Sequence, residues 1–261
     1  MTNEVHALEA FYASPGGEAA ARLVRARLAW LWPSLPGMTV LGIGHAAPYL
    51  GIWQAEARAC LALTPAHAHH PATTHPATPW PPVMPGPWPG AARPSAAPAA
   101  RVAALVAEEE ALPFADASID RILLVHGLEA AENARRLLRE AWRVLRDDGR
   151  LIIVAPNRLG LWAQLERTPF GHGQPYSTGQ LTRLLARHLF RVEARDAALF
   201  LPPYGLRLFR AASPAVERAG RAVCPRIAGV AIVEAEKDLF SAMPAGAVAV
   251  RRRRVMVPAP V

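Results

Sequence analysis

Histidine is the side chain whose proton exchange falls near neutral pH, and two of the nine histidines stand where an imidazole could meet a ligand. His172 lies in the run Thr168-Pro169-Phe170-Gly171-His172-Gly173-Gln174-Pro175-Tyr176-Ser177, where the flanking glycines would let the ring approach a bound molecule. The same loop could instead pack as a lid with Phe170 and Tyr176 buried. His126 follows the aliphatic run Ile119 to Val125, so it is either a reactive group at a strand end or a histidine bonded to a neighbouring loop. Gly42-Ile43-Gly44-His45-Ala46-Ala47-Pro48-Tyr49 reads as a tight turn that brings backbone close to a ligand. Its third glycine and the distal acid of a nicotinamide dinucleotide fingerprint are missing. His67, His69, His70 and His75 offer imidazoles without a Cys or carboxylate partner, in sequence that does not preorganise ligands, so no metal site is expected.

These groups need elements to hold them. Glu18 to Trp32 has helical apolar spacing and stops at Pro33, and Met38 to Ile43 is a short buried strand feeding the glycine turn. A second strand is predicted over Ala57 to Leu63. Residues 66–101 carry ten prolines and four histidines, a composition that excludes regular helix or central strand and reads as an inserted surface loop. Strands are then expected over Arg101 to Val106, Ile119 to Val125 and Leu151 to Ala155. A helix spans Asn133 to Leu145 and is ended by Asp148-Gly149, and a second, capped by Ser177 or Thr178, runs to Leu189. Arg191 to Leu201 and Gly229 to Glu236 supply the last strands around a helical insertion, Leu206 to Val223. Alternating strand and helix predict an α/β fold, a doubly wound, Rossmann-like sheet whose ligands lie beyond the carboxyl ends of the strands. An N-terminal helical segment, 1–37, precedes this domain at 38–261.

Composition narrows the class. Hydrophobic residues make up 52% of 261 and charged residues 19%, which suits one packed domain. Two cysteines, Cys60 and Cys224, cannot staple a secreted scaffold, and no basic flank with an apolar run marks a leader, so a cytoplasmic protein is expected. No apolar stretch is long enough for a membrane span. The charge of +8 comes almost wholly from arginine, Lys237 being the one lysine. Arg251 to Arg254 would alternate faces on a strand, and no nucleic-acid partner is expected.

The order of segments, with Glu108-Glu109-Glu110-Ala111-Leu112-Pro113-Phe114-Ala115-Asp116-Ala117-Ser118-Ile119-Asp120 and Leu138-Arg139-Glu140-Ala141-Trp142-Arg143-Val144-Leu145-Arg146-Asp147-Asp148-Gly149-Arg150-Leu151, resembles the class I S-adenosylmethionine-dependent methyltransferases, in particular the methyltransferase type 11 group. The resemblance covers roughly residues 38–200 without the insert. It implies a seven-stranded, mostly parallel sheet and S-adenosylmethionine as cofactor. It also implies cofactor contacts from Gly42, Gly44, His45, Glu108, Glu109 and His126. Glu108 best matches the acid that reaches the adenine amine, with Glu109 and Glu110 equally readable as solvated loop charges. The chain departs from the family where the first-strand acid falls on Gly42, where later glycines fall on Ala46 and Pro48, and where Leu61-Ala62-Leu63-Thr64-Pro65 supplies no acid for the ribose.

The implied activity is methyl transfer to a small-molecule acceptor, with His126 or His172 as general base and Arg158, His172 and Tyr176 as acceptor contacts. The alternative is an inactive methyltransferase-like scaffold whose altered cofactor corner, Gly42, Ala46, Pro48 and Leu63, leaves it a partner-binding role. Acceptor and oligomeric state are not specified by these residues.

Overall fold

The computed structural model describes residues 2–66, 102–164, 168–171, 173–201 and 213–239. His172, the four insert histidines and Arg251 to Arg254 lie outside these residues, as does nearly all of the expected insert.

Seven strands form one sheet: β1 (Thr39–Gly44), β2 (Ala59–Pro65), β3 (Ala103–Ala107), β4 (Ile119–Val125), β5 (Leu145–Pro156), β6 (Phe190–Ala198) and β7 (Val230–Lys237). Their order is β3-β2-β1-β4-β5-β7-β6. The first five run parallel, and β7 is antiparallel to both β5 and β6. Chain order reverses between β1 and β4, the place where sheets of this kind hold their ligands at the carboxyl ends of the strands.

Helices cover both faces because the strands bury both. Val40, Leu123, Ile152, Val154, Val230 and Ile232 pack with Ala20, Val24 and Leu28 of α2 (Pro15–Leu31) and Tyr49 and Leu50 of α3 (Ala47–Leu50). Their neighbours in sequence, Leu41, Ile122, Leu124, Ile153 and Val233, pack on Leu137, Leu138 and Ala141 of α4 (Ala134–Val144) and Leu181 and Leu185 of α5 (Thr178–Arg187). The two-residue period of the strands thus assigns every residue to one helical layer or the other. α2 starts where the Ser14 side chain accepts from the Gly17 N–H and Pro15 fills the first turn. α5 starts in a capping box between Ser177 and Gln180.

Several boundaries differ from expectation. An additional helix, α1 (Thr2–Tyr12), precedes α2. The chain leaves α4 at Val144 and enters β5 directly, so Asp148-Gly149 does not end the helix. Ile119 pairs with Leu145 but Arg121 with Arg150, and the surplus residues form a bulge in which a Cβ on Gly149 would sit 2.5 Å from the Leu145 side chain. Glycine there serves close packing. β2 lies two residues beyond its expected span, and of the predicted helical insertion the described part forms α6 (Ser213–Val223), its expected start at Leu206 lying outside the described residues. No helix among the described residues is long and apolar enough to cross a membrane.

The N-terminal helices are tied in by a buried polar contact. The Trp32 indole N–H donates to Glu234 Oε1 on β7 at 2.9 Å, and Arg150 Nη1 donates to the same oxygen at 3.1 Å. Replacing Glu234 by Ala strands the buried Trp32 donor and frees the more exposed Arg150. It is expected to cost about 3 kcal/mol in urea unfolding, while Glu236→Ala, at a more exposed pair, costs less than about 1 kcal/mol.

Candidate functional site

The turns after β1 and β4 meet at the carboxyl ends of these strands. Gly44 has φ +75°, and a Cβ there would lie 2.5 Å from the Val125 carbonyl and 2.9 Å from Gly127 Cα. No other residue type allows the two turns to approach so closely. The next residue completes the contact, the His45 N–H donating to the Val125 carbonyl at 2.7 Å. Gly42 does a different job: a Cβ there would meet Ala46 Cβ at 2.7 Å, so its missing side chain seats α3 on β1.

His126 leaves β4 with φ +51°, a left-handed backbone that a non-glycine residue holds only when its surroundings enforce it. Its N–H donates to the Val154 carbonyl, fixing the ring's origin between β4 and β5. The buried ring is bonded on both sides. Nδ1 lies 2.7 Å from Glu129 Oε1, and Nε2 lies 2.8 Å from the Tyr12 hydroxyl of α1. A carboxylate can only accept, so Glu129 holds the proton on Nδ1 and leaves Nε2 as the acceptor of the Tyr12 O–H.

Around this chain the site is aromatic. The Tyr12 ring stacks on His45 with centroids 4.5 Å apart and planes at 19°, and Phe170 meets the edge of His126 at 5.2 Å. Phe11 and Trp162 close the outer side against Phe170. Burial raises the Tyr12 hydroxyl well above its ordinary value, with the adjacent Tyr49 and Glu129 adding to the effect. Burial likewise pushes Tyr49 up to about 12. The Tyr49 hydroxyl lies beside that of Tyr12, yet makes no hydrogen bond of normal geometry. His45 Nε2 and Glu129 Oε2 are also buried without a hydrogen-bond partner. Buried polar atoms rarely stay unpaired in a protein interior, and several at one place mark where a ligand would supply the partner.

The expected site residues do not all converge. Glu108 is exposed, and Glu109, readable in the sequence as a solvated charge, is the buried acid beyond β3, with Oε1 accepting from the Glu132 N–H at 3.0 Å. Glu110 instead pairs with Arg136. The second strand ends at Thr64-Pro65, so a hydroxyl and no carboxylate stands at its carboxyl end. Tyr176 is half-buried, its hydroxyl raised by burial and secondarily by the charge of Glu129. Its backbone bonds to Arg158, but the Arg158 side chain is exposed at the rim. Among the described residues no group of His, Cys, Asp and Glu is arranged to hold a metal.

Tyr12, Tyr49 and Glu129 had not been singled out. The spacing of His126 and Glu129, three apart, could have suggested the pair, whereas Tyr12 is 114 residues from His126 and carries no local signal.

The architecture decides the family of folds. The structure superposes with TM-score 0.53 on the putative methyltransferase in complex with the Haloferax volcanii Trm112 methyltransferase activator, at 15% identity over 88% of this chain and 97% of that one. It superposes with TM-score 0.52 on an S-adenosylmethionine-dependent methyltransferase from Mesorhizobium loti, at 14% identity over 81% and 96%. The fold is that of the class I methyltransferases. In sequence, residues 90–153 match the methyltransferase domain family. The chain is 42% identical over 72 residues to the uncharacterized protein YafS of Escherichia coli, covering 27% of this chain and 30% of that protein. It is 34% identical over 101 residues to the uncharacterized protein Rv2003c of Mycobacterium tuberculosis, covering 36% and 35%. The chain therefore spans about a third of the length of these curated relatives. In this methyltransferase fold the Tyr12–His126–Glu129 chain lies at the carboxyl edge of β1 and β4.

His45 provides a test of the buried environment. Desolvation, and secondarily the charge of His126, lower its pKa from 6.5 to about 3. The unfolded chain then binds the extra proton between those values, so stability falls as pH drops below 6.5. The expected slope in urea unfolding is at most about 1.4 kcal/mol per pH unit, and His45→Gln removes that part of it.

Proposed function

We propose that the chain is an S-adenosylmethionine-dependent methyltransferase acting on a small-molecule hydroxyl, with His126 as general base. The observation that carries this reading is the buried Tyr12–His126–Glu129 chain at the carboxyl edge of β1 and β4 in a class I methyltransferase fold, held by a left-handed His126. The donor set fits the cofactor at three points. Gly44 gives close backbone approach, Glu109 provides a buried carboxylate beyond β3, and the unpaired Nε2 of His45 waits at the turn. Thr64 would meet the ribose with a hydroxyl, a weaker partner than a carboxylate by about 1.5 to 3 kcal/mol.

When bound, S-adenosylmethionine supplies a methyl group on a sulfonium, an activated donor that needs positioning more than covalent assistance. The chain's own residues do the rest. Glu129 keeps the Nδ1 proton in place, Nε2 takes the proton of the acceptor hydroxyl, and Glu129 then balances the imidazolium in a buried setting. Phe170 and Trp162 exclude water, Tyr176 orients the acceptor, and Arg158 stands at the rim. We assign the protein to the cytoplasm, in keeping with the unpaired Cys60 and Cys224.

Calorimetric titration tests the reading directly. S-adenosylmethionine and S-adenosylhomocysteine are expected to bind with micromolar affinity. Glu109→Gln should weaken them about tenfold, Glu108→Gln should leave them within about twofold, and His126→Asn should keep binding but lose transfer. No heat and no thermal stabilisation at millimolar ligand would overturn it in favour of the partner-binding scaffold that Thr64-Pro65 suggests.

A further inference from the structure

We propose that the acceptor is a phenol and that Tyr12 occupies its place when none is bound. This rests on His126 being the base, and follows from counting lone pairs. With the proton fixed on Nδ1 by Glu129, the imidazole has one acceptor site, Nε2, and the Tyr12 hydroxyl uses it at 2.8 Å. An acceptor hydroxyl that reaches His126 must therefore displace the hydroxyl of Tyr12.

The place it enters is already shaped. Tyr12 holds an aromatic ring flat against His45 at 4.5 Å, with Phe170 beyond, and neither wall is part of α1. His45 is neutral at ordinary pH, so its face offers stacking without charge. The Tyr49 hydroxyl, fully buried, lies beside the Tyr12 oxygen and makes no hydrogen bond of normal geometry. With the Tyr12 oxygen withdrawn, it can donate to the oxygen of an entering phenol as negative charge develops there. An aliphatic alcohol would meet Nε2 but leave the His45 face bare. For a phenol to enter, α1 must withdraw from α2 and from the turn Pro169–Gly171, on which it packs.

The step balances. The phenol proton passes to Nε2, the oxygen lone pair forms the O–C bond to the methyl carbon, and the C–S pair of the sulfonium returns to sulfur. The products are an aryl methyl ether, a thioether and a protonated His126–Glu129 pair that gives its proton back to solvent. Because only the fraction of molecules with Tyr12 withdrawn can bind, the internal phenol raises the apparent KM by the inverse of that fraction.

The full chain is assayed with labelled S-adenosylmethionine and p-cresol, cyclohexanol or benzylamine, and p-cresol and toluene are titrated into wild type and Tyr12→Ala. The expected result is ether formation from p-cresol alone, a KM about tenfold lower in Tyr12→Ala, and p-cresol bound about tenfold tighter than toluene by that variant, a preference lost when His126→Leu is added. Should Tyr12→Ala not fold, Tyr12→Phe keeps the ring and gives up the hydrogen bond, and is expected to lower KM by a smaller factor. Methylation confined to benzylamine or cyclohexanol, equal binding of toluene and p-cresol, or a KM unchanged or raised by both variants would overturn the proposal. Cofactor titration on the same preparations separates the two failures. Without S-adenosylmethionine binding the methyl-transfer reading falls, and the p-cresol and toluene arm still decides whether the place of Tyr12 takes phenols.

Discussion

The approach of the turn after β1 to the turn after β4, with Gly44 against Val125 and Gly127, is the contact on which the rest of the site depends. It joins the two strands that flank the reversal of the sheet and sets His45 and His126 on adjoining turns. A single Cβ at position 44 would push these turns apart and add the strain of a left-handed non-glycine backbone. The spacing of both rings, and the slot that Tyr12 fills between them, follow from the absence of that one carbon.

Within this frame the polar groups form a chain in which each residue constrains the next. Glu129 determines where the His126 proton sits, His126 determines what Tyr12 must do, and Tyr12 covers His45. The loop at 173–176 rests on the same residue: Gln174 N–H donates to the Glu129 carbonyl, and a Cβ on Gly173 would lie 2.6 Å from it. Buried networks of this kind are costly when partly satisfied, and this one leaves His45 Nε2 and Glu129 Oε2 without hydrogen bonds and the Tyr49 hydroxyl without one of normal geometry. A core selected for stability alone would replace them with apolar groups. Their retention agrees with a site built around something that arrives from outside.

The most family-like stretch of sequence has a different role. Arg143 of α4 donates to the Leu112 and Phe114 carbonyls and to Asp116, while Glu140 accepts from the Leu112 N–H and from Arg143. Asp120 accepts from the Thr39 N–H, fastening the start of β4 to the start of β1. These residues brace the sheet and its loops. They identify the fold because their partners are backbone groups in fixed positions, and they leave open what the site binds.

The sequence by itself determined the sheet and its two helical layers, since aliphatic runs such as Ile119 to Val125 can only be strands buried on both faces, and Leu137, Leu138 and Ala141 mark one stripe of a helix. The resemblance also marked the missing acid after β2, where Leu61-Ala62-Leu63-Thr64-Pro65 supplies no carboxylate. The resemblance favoured Glu108, and the burial of Glu109 in its place carried no local signal, since one residue of register at the end of β3 sends a side chain to solvent or inward. Nor did any local signal reveal Tyr12, whose helix has only a narrow apolar face and whose partner is far away in the chain. Only the tertiary structure brings α1 over the carboxyl ends of β1 and β4, because that contact comes from packing between distant segments, and periodicity records only what each segment buries on its own.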